Sequence, residues 1–274
     1  MAIGEVRAGS AWLTLREPAD AAARARDLVG ETRSSLPVGA PLRVLDLGCG
    51  TGAMARWLAP QLDGPQHWVM LDRDADLLDV AVASTPGIAG DGAPVTTETQ
   101  RRDITRLGPD DLRGAGLVTA SALLDMMTAD GLGRLVATCV EAVCPALITL
   151  SVTGQVDLAP RDPLDRTVEQ AFNDHQRRTL GGVGLLGPDA ARAAVDGFTR
   201  LGFEVEVRPS PWRLGPGQAA LAGEWFEGWL SAACEQRPEL RAATGEYRRR
   251  RAAEAAAGRL SVTVQHLDLL ARPR

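Results

Sequence analysis

Three glycines at alternate positions, Gly48, Gly50 and Gly52, stand inside the stretch VLDLGCGTGA, residues 44–53. Glycine weakens strand and helix interiors alike, so a cluster of three needs a reason. Placed after an apolar run and before a helical pattern, glycines let backbone N–H groups and a helix N-terminus approach a ligand closely. Cys49 lies within this turn. GCGTGA also fits the pattern G-x-G-x-x-G/A, with Ala53 in the last slot. That pattern alone is unspecific, but Asp72 lies 20 residues beyond Gly52 at the end of the next apolar run, HWVMLD. A carboxylate there suits two vicinal ribose hydroxyls, each a donor.

Two further acids narrow the ligand. Asp46, two residues before Gly48, would repel a pyrophosphate and suit a cationic amino-acid moiety. Asp103, in RRDI, can accept from an exocyclic amine such as adenine carries. A ribose, an amine-bearing base and a positively charged amino-acid tail together describe S-adenosylmethionine. VLDLGCGTG followed by VMLDRD and RRDI resembles the class I S-adenosylmethionine-dependent methyltransferases, over about residues 40–152. The resemblance implies that the turn Gly48–Gly52, Cys49 included, cradles the cofactor. It implies that Asp72 and its neighbour Arg73 serve the ribose, that Asp103 and Ile104 serve the adenine, and that Ala120, Ser121 and Ala122 line the methionine portion. Arg16, with Trp12 and Glu17, is expected to close over the cofactor, as N-terminal extensions do in the resembled enzymes. Asp46 acts on the ligand or fixes the amides of the turn.

Methyl transfer from a sulfonium is an in-line displacement whose leaving group is already activated. Alignment and exclusion of water supply most of the catalysis, and a base is needed only when the acceptor must lose a proton. His175 shares helical spacing with Leu164, Val168 and Phe172 and is expected on an inward face, as a catalytic group or as a core histidine. Asp125, in SALLDMM, follows the fourth strand and is expected to act on the acceptor or the methionine amine, or to cap a helix. His67 falls at the wrong end of its strand, and His266 is read as structural. Trp225 and Trp229, four apart, mark one helix face, either core or aromatic pocket. Arg177 and Arg178 could steer an acidic acceptor.

These residues need a frame that brings them to one edge. Apolar runs at 43–47, 67–72, 95–100, 117–123 and 146–152 alternate with helical patterns, which argues for a parallel sheet covered on both faces. In such sheets ligands bind beyond the C-terminal strand ends, where the glycine turn falls. The reading is a single α/β domain over 1–274, a three-layer Rossmann-like methyltransferase fold. The resemblance implies a mostly parallel seven-stranded sheet with an antiparallel last strand, 203–209 and 261–271 completing it. Residues 1–36 form a helical extension, 34–41 a linker and 40–152 the cofactor-binding core. Residues 155–187, with a helix from Pro163 to Thr179 capped by Asp162, and 218–257 are helical insertions on the substrate side, the second replacing a tight hairpin.

Every one of the 30 basic residues is arginine, and the net charge is −5. An acidic chain lacking an Asn/Asp-Pro-Pro-aromatic motif after the fourth strand argues against nucleic acid as partner. The basic run YRRRR, 247–251, reads as a solvated helix face. No apolar run spans a membrane, no export signal opens the chain and the four cysteines form no CxxC pair, so the cytoplasm is the expected location. No metal-ligand spacing is present, and no metal is expected. The expectation is a methyltransferase acting on oxygen or nitrogen of a small molecule, with S-adenosylmethionine as cofactor and S-adenosylhomocysteine as product. The alternatives are an NAD(P)-dependent oxidoreductase and a non-catalytic S-adenosylmethionine-binding protein.

Overall fold

The computed structural model describes residues 9–37 and 41–274; residues 1–8 of the expected extension and 38–40 of the expected linker lie outside the described residues. The chain runs α1 (Ser10–Ala23), α2 (Asp27–Ser35), β1 (Leu42–Leu47), α3 (Ala53–Leu58), β2 (Gln66–Asp72), α4 (Ala75–Ser84), β3 (Val95–Arg101), β4 (Leu117–Ser121) and α5 (Ala129–Glu141). It continues as β5 (Ala146–Ala159), α6 (Asp165–Gln176), a small hairpin of β6 (Thr179–Leu180) and β7 (Val183–Gly184), α7 (Ala190–Arg200), β8 (Glu204–Pro209) and β9 (Trp212–Leu214). Then follow α8 (Ala219–Gln236), α9 (Leu240–Ala243), α10 (Gly245–Ala256) and β10 (Ser261–Arg272).

The main sheet has the order β3-β2-β1-β4-β5-β10-β8, with β9 paired to β10. β1 to β5 pair in parallel, and β10 runs antiparallel to β5, β8 and β9. This is the expected α/β architecture, with eight strands among the described residues because Trp212–Leu214 adds one. Strand alternation divides the core. Leu45 and Leu47 of β1, with Val69 and Leu71 of β2, pack under α5 and α7. Val44, Trp68 and Met70 point the other way, under α2, α3 and α4. Asp46 falls on that second face at the strand end and is itself fully buried.

Several boundaries differ from those read in the sequence. β5 extends to Ala159, so residues 155–159 are strand rather than insertion. It continues past the sheet as a ribbon paired with the first half of β10. Its Val156 and Leu158 pack with Val262 and Val264 beneath α6, α8 and α10 as a third core cluster. α6 begins at Asp165 because the Asp162 carboxylate accepts from the Leu164 N–H (3.0 Å) and closes a turn ahead of the helix. It ends at Gln176, where the chain turns into the β6–β7 hairpin. Residues 218–257 are three helices, interrupted near Pro238 and at Thr244–Gly245. Pro18 sits inside α1, eight residues after its start at Ser10. No helix among the described residues is long and apolar enough to cross a membrane.

One buried carboxylate ties these pieces together. Asp268 of β10 accepts from the Ala25 N–H (2.8 Å) between α1 and α2, from the Leu150 N–H (2.7 Å) in β5, and from the Ser210 hydroxyl between β8 and β9. Leu150 stands at φ +57°, a left-handed value unusual for a side chain of that size. Asp268 thus pins a kink where β5 leaves the sheet.

Candidate functional site

The glycine turn follows β1 and opens α3. Gly48, Gly50 and Gly52 have φ of +62°, +55° and +83°, a region that carries little cost only for glycine. Gly48 also has no room for a Cβ, which would lie 2.9 Å from a Leu123 methyl. The turn is held from β2. One Asp72 oxygen accepts from the Gly50 N–H (2.9 Å) and the other from the Asp74 N–H (3.0 Å). Each oxygen retains a second lone-pair direction for a ligand donor.

A crevice of about 780 Å³ opens at this edge, within the size range of small-molecule sites. Asp46, Gly48, Cys49, Gly50, Asp72 and Arg73 line it, as do Asp103, Ile104, Ser121, Ala122 and Arg16. Four expected residues do not: Trp12 lines a second cavity, Glu17 pairs with Arg56 of α3 (2.6 Å), and Ala120 and Gly52 face the interior. Ala120 is fully buried in the core under α5, because the strand alternation that brings Ser121 to the edge turns Ala120 inward. Gly52 faces α4, where a Cβ would stand 3.2 Å from the Ala81 Cα; its glycine permits helix packing. Asp103 is exposed at the rim and caps a short 3-10 turn, accepting from the Thr105 N–H and hydroxyl.

Two buried opposite charges line the crevice with an atom left over. Asp46 accepts from the Thr119 hydroxyl (2.8 Å) on one oxygen, and its other oxygen has no protein partner. Burial pushes its carboxyl up to about 7, with Thr119 and Arg24 opposing that shift. Arg24 reaches in from the end of α1, its guanidinium beside the Trp57 ring. Its Nε donates to Thr149 (3.4 Å) and one Nη to Ser121 (3.1 Å), while the other Nη is buried without a protein partner. Sequence reading missed Arg24, which no motif marks within RARD. Cys49 is inert as a nucleophile: burial, with Asp46 and Asp72 nearby, raises its thiol pKa.

A second cavity, of about 580 Å³, adjoins the first, and Arg16 and Ala122 line both. Ala122 has φ +50° at this junction. Arg16 is paired with Asp20 (2.9 Å) and lies over the Trp212 ring, 4.9 Å from its centroid. The walls are aromatic. Trp12 and Trp212 come from α1 and β9; Phe172, Trp225 and Trp229 come from α6 and α8, the last two stacked with centroids 5.3 Å apart. Asp125 lies here, on a 3-10 turn after β4, not as a helix cap: Thr128 caps α5. Its carboxyl pKa is raised by burial, and Gln176 Nε2 approaches it at 3.4 Å.

The histidines are placed differently from their expected roles. His175 does not line either cavity; its Nε2 faces Glu235 of α8 (3.1 Å) and Arg178 crowds its other side. The turn of α6 that carries Phe172, Asn173 and Gln176 faces the cavity instead. Arg177 pairs with Asp189 (2.6 Å), and neither it nor Arg178 reaches the cavity. His266, read as structural, does line it, packed against Trp212. Burial lowers its pKa to about 3, so it is neutral near pH 7.

Residues 44–146 match the model of a family described as Methyltransferase domain. Residues 44–146 thus carry a methyltransferase domain. The resemblance carried by VLDLGCGTG, VMLDRD and RRDI is thereby borne out, and the nicotinamide alternative gives way to it. Among solved structures, the cyclopropane synthase MmaA2 from Mycobacterium tuberculosis matches at 12% identity, 96% of this chain, 94% of that one and a TM-score of 0.51. At that identity the likeness speaks for the fold. A SAM-dependent methyltransferase from Geobacter sulfurreducens in complex with S-adenosyl-L-homocysteine matches at 16% identity, 97% and 99% coverage and a TM-score of 0.45. No curated protein sequence matches the chain. The methyltransferase domain ends at the start of β5, so the aromatic cavity is built largely from what precedes and follows the matched segment.

Proposed function

We propose that this methyltransferase transfers a methyl group from S-adenosylmethionine to oxygen or nitrogen of a small molecule held in the aromatic cavity. The observation that carries the reading is the junction of the two spaces, lined on both sides by Arg16 and Ala122. A group at the inner end of the crevice meets whatever occupies the second cavity.

The crevice fits the cofactor by its leftover atoms. Asp46 Oδ2 and an Arg24 Nη, both buried and unpartnered in the protein, suit an ammonium and a carboxylate, the two ends of an amino-acid moiety. Asp72 holds the ribose hydroxyls while fixing the turn amides, and Arg73 flanks it. Asp103 and Ile104 lie at the rim for the adenine. When bound, the cofactor supplies a methyl group on an activated sulfonium. The residues of the chain then align and exclude water. Asp125, its carboxyl kept basic by burial, takes the proton that a hydroxyl or amine must lose. Placement does not support His175 in that role. With an acidic surface and buried free cysteines, we place the enzyme in the cytoplasm, without nucleic acid as partner.

The test is a calorimetric and thermal-shift comparison of S-adenosylhomocysteine with NAD on the full chain. S-adenosylhomocysteine is expected to bind and stabilise, and Asp72→Ala to weaken that binding by roughly 1–3 kcal/mol through stranded hydroxyl donors. Stabilisation by NAD alone overturns the reading.

A further inference from the structure

The chemistry of the second cavity says what kind of molecule it holds. Five aromatic side chains line it, drawn from α1, β9, α6 and α8. Such walls favour flat, aromatic contents, through ring contacts beyond plain area burial. A long saturated chain would also fit an apolar space, so the polar atoms must decide.

Three acceptor groups sit among those rings. Asn173 donates its Nδ2 to the Gly154 carbonyl (2.8 Å), which leaves Oδ1 buried without a partner. Gln176 turns its Nε2 to Asp125, which leaves Oε1 buried without a partner. The Asp125 carboxylate accepts from its own backbone N–H and meets Gln176 at 3.4 Å. Two amide oxygens and a carboxylate are acceptors, so the matching occupant brings donors. A hydrocarbon chain would strand all three, each at roughly a tenfold or greater cost in affinity.

Charge narrows the class further. Among the described residues lining the cavity, Arg16 is the one cation beside neutral His266, and it is already held by Asp20. Asp125, Glu224 and Glu227 also line it, and Glu227 pairs outward with Arg248 (3.3 Å). An anionic acceptor would meet carboxylates with no uncommitted counter-charge.

We infer that the cavity binds a planar aromatic ring carrying a neutral or cationic hydrogen-bond donor, a phenol or an arylamine, oriented with that donor toward the acceptors that Asp125, Asn173 and Gln176 offer. The inference rests on the methyl-transfer reading, in which this cavity holds the acceptor. Fatty acids and aromatic carboxylates are excluded as its occupants.

The experiment titrates the full chain, saturated with S-adenosylhomocysteine, with 2-naphthol, 2-naphthylamine, 2-naphthoate and decanoate, following quenching of tryptophan fluorescence. 2-Naphthol or 2-naphthylamine is expected to bind at least about tenfold more tightly than either acid; the tighter of the two assigns oxygen or nitrogen. Gln176→Leu is expected to weaken the favoured probe by about tenfold or more while S-adenosylhomocysteine binds as before. If S-adenosylhomocysteine binds and the acids compete equally, or the Gln176 variant leaves probe affinity unchanged, the inference is overturned alone. If S-adenosylhomocysteine does not bind, the methyl-transfer reading fails and this inference fails with it.

Discussion

Asp46 is a residue whose burial works against stability. It is fully buried, has one hydroxyl partner and titrates at about 7 rather than its usual 3.8. Between those values the folded chain holds a proton that the unfolded chain has released, so stability falls as pH rises across that window. Asp46→Asn keeps an oxygen for Thr119 and removes the titration. In urea unfolding without ligand, the variant is expected to gain on the parent by ~2 kcal/mol or more between pH 4 and pH 8. A parallel pH dependence of the two proteins would mean that Asp46 ionises normally. The same variant is expected to bind S-adenosylhomocysteine more weakly at pH 8, because an ammonium would then meet a neutral amide. Stability and binding move in opposite directions, as expected when a site stores an unpaired charge.

At the scale of elements, the glycine turn is where backbone conformation and helix packing meet. Asp72, from the end of β2, fixes the Gly50 amide, so the shape of the turn depends on the parallel register of β1 and β2. Gly52 serves a different contact. Its φ of +83° and the 3.2 Å approach of a would-be Cβ to Ala81 place the start of α3 directly on α4. Gly52→Ala is expected to destabilise by roughly 1–3 kcal/mol, from left-handed strain together with displacement of α4. Denaturant midpoints measure it; a change within a few tenths of a kcal/mol would show that α4 yields freely. A pattern search credits all three glycines to ligand approach, yet only the first two line the crevice.

On the scale of the whole molecule, the aromatic cavity lies under a roof of helices fastened to a ribbon that outgrows the sheet. The fastening is Arg251 of α10. Only 2% exposed, it donates to Asp165 of α6 (2.7 and 2.8 Å), to Glu254 and to the Pro160 carbonyl, while Tyr247 also donates to Asp165 (2.7 Å). Read as a solvated run in the sequence, YRRRR thus contains the most deeply buried arginine of the roof. Arg251→Met strands part of this network and is expected to lower stability by roughly 2–4 kcal/mol, near the range for broken buried pairs. Because Arg251 is remote from the crevice lining, affinity for S-adenosylhomocysteine is expected to stay within about twofold. Thermal unfolding and calorimetry on the same sample separate the two effects. A large loss of affinity would show that the roof and the crevice are coupled.

The glycine turn within residues 44–53 and the carboxylate of Asp72 that anchors it are legible in the sequence itself. Short-range order suffices there: an apolar run makes a strand, glycines make a turn, and an acid at the next strand end reaches that turn. The alternation of strands and helices likewise marks the parallel core, while its antiparallel close follows from the family resemblance. Arg24, His266 and Gln176 have no such signature, and helical spacing marks His175, although Gln176 is its neighbour on α6. One residue is about 100° of helix rotation, and only the packing of α6 against α8 decides which side chain faces the cavity and which faces Glu235. The same holds for β5, whose polar second half reads as loop until β10 pairs with it. Contacts between residues more than a hundred positions apart, such as Asp268 with Leu150, leave no periodic trace along the chain, so the aromatic cavity exists only in the folded molecule.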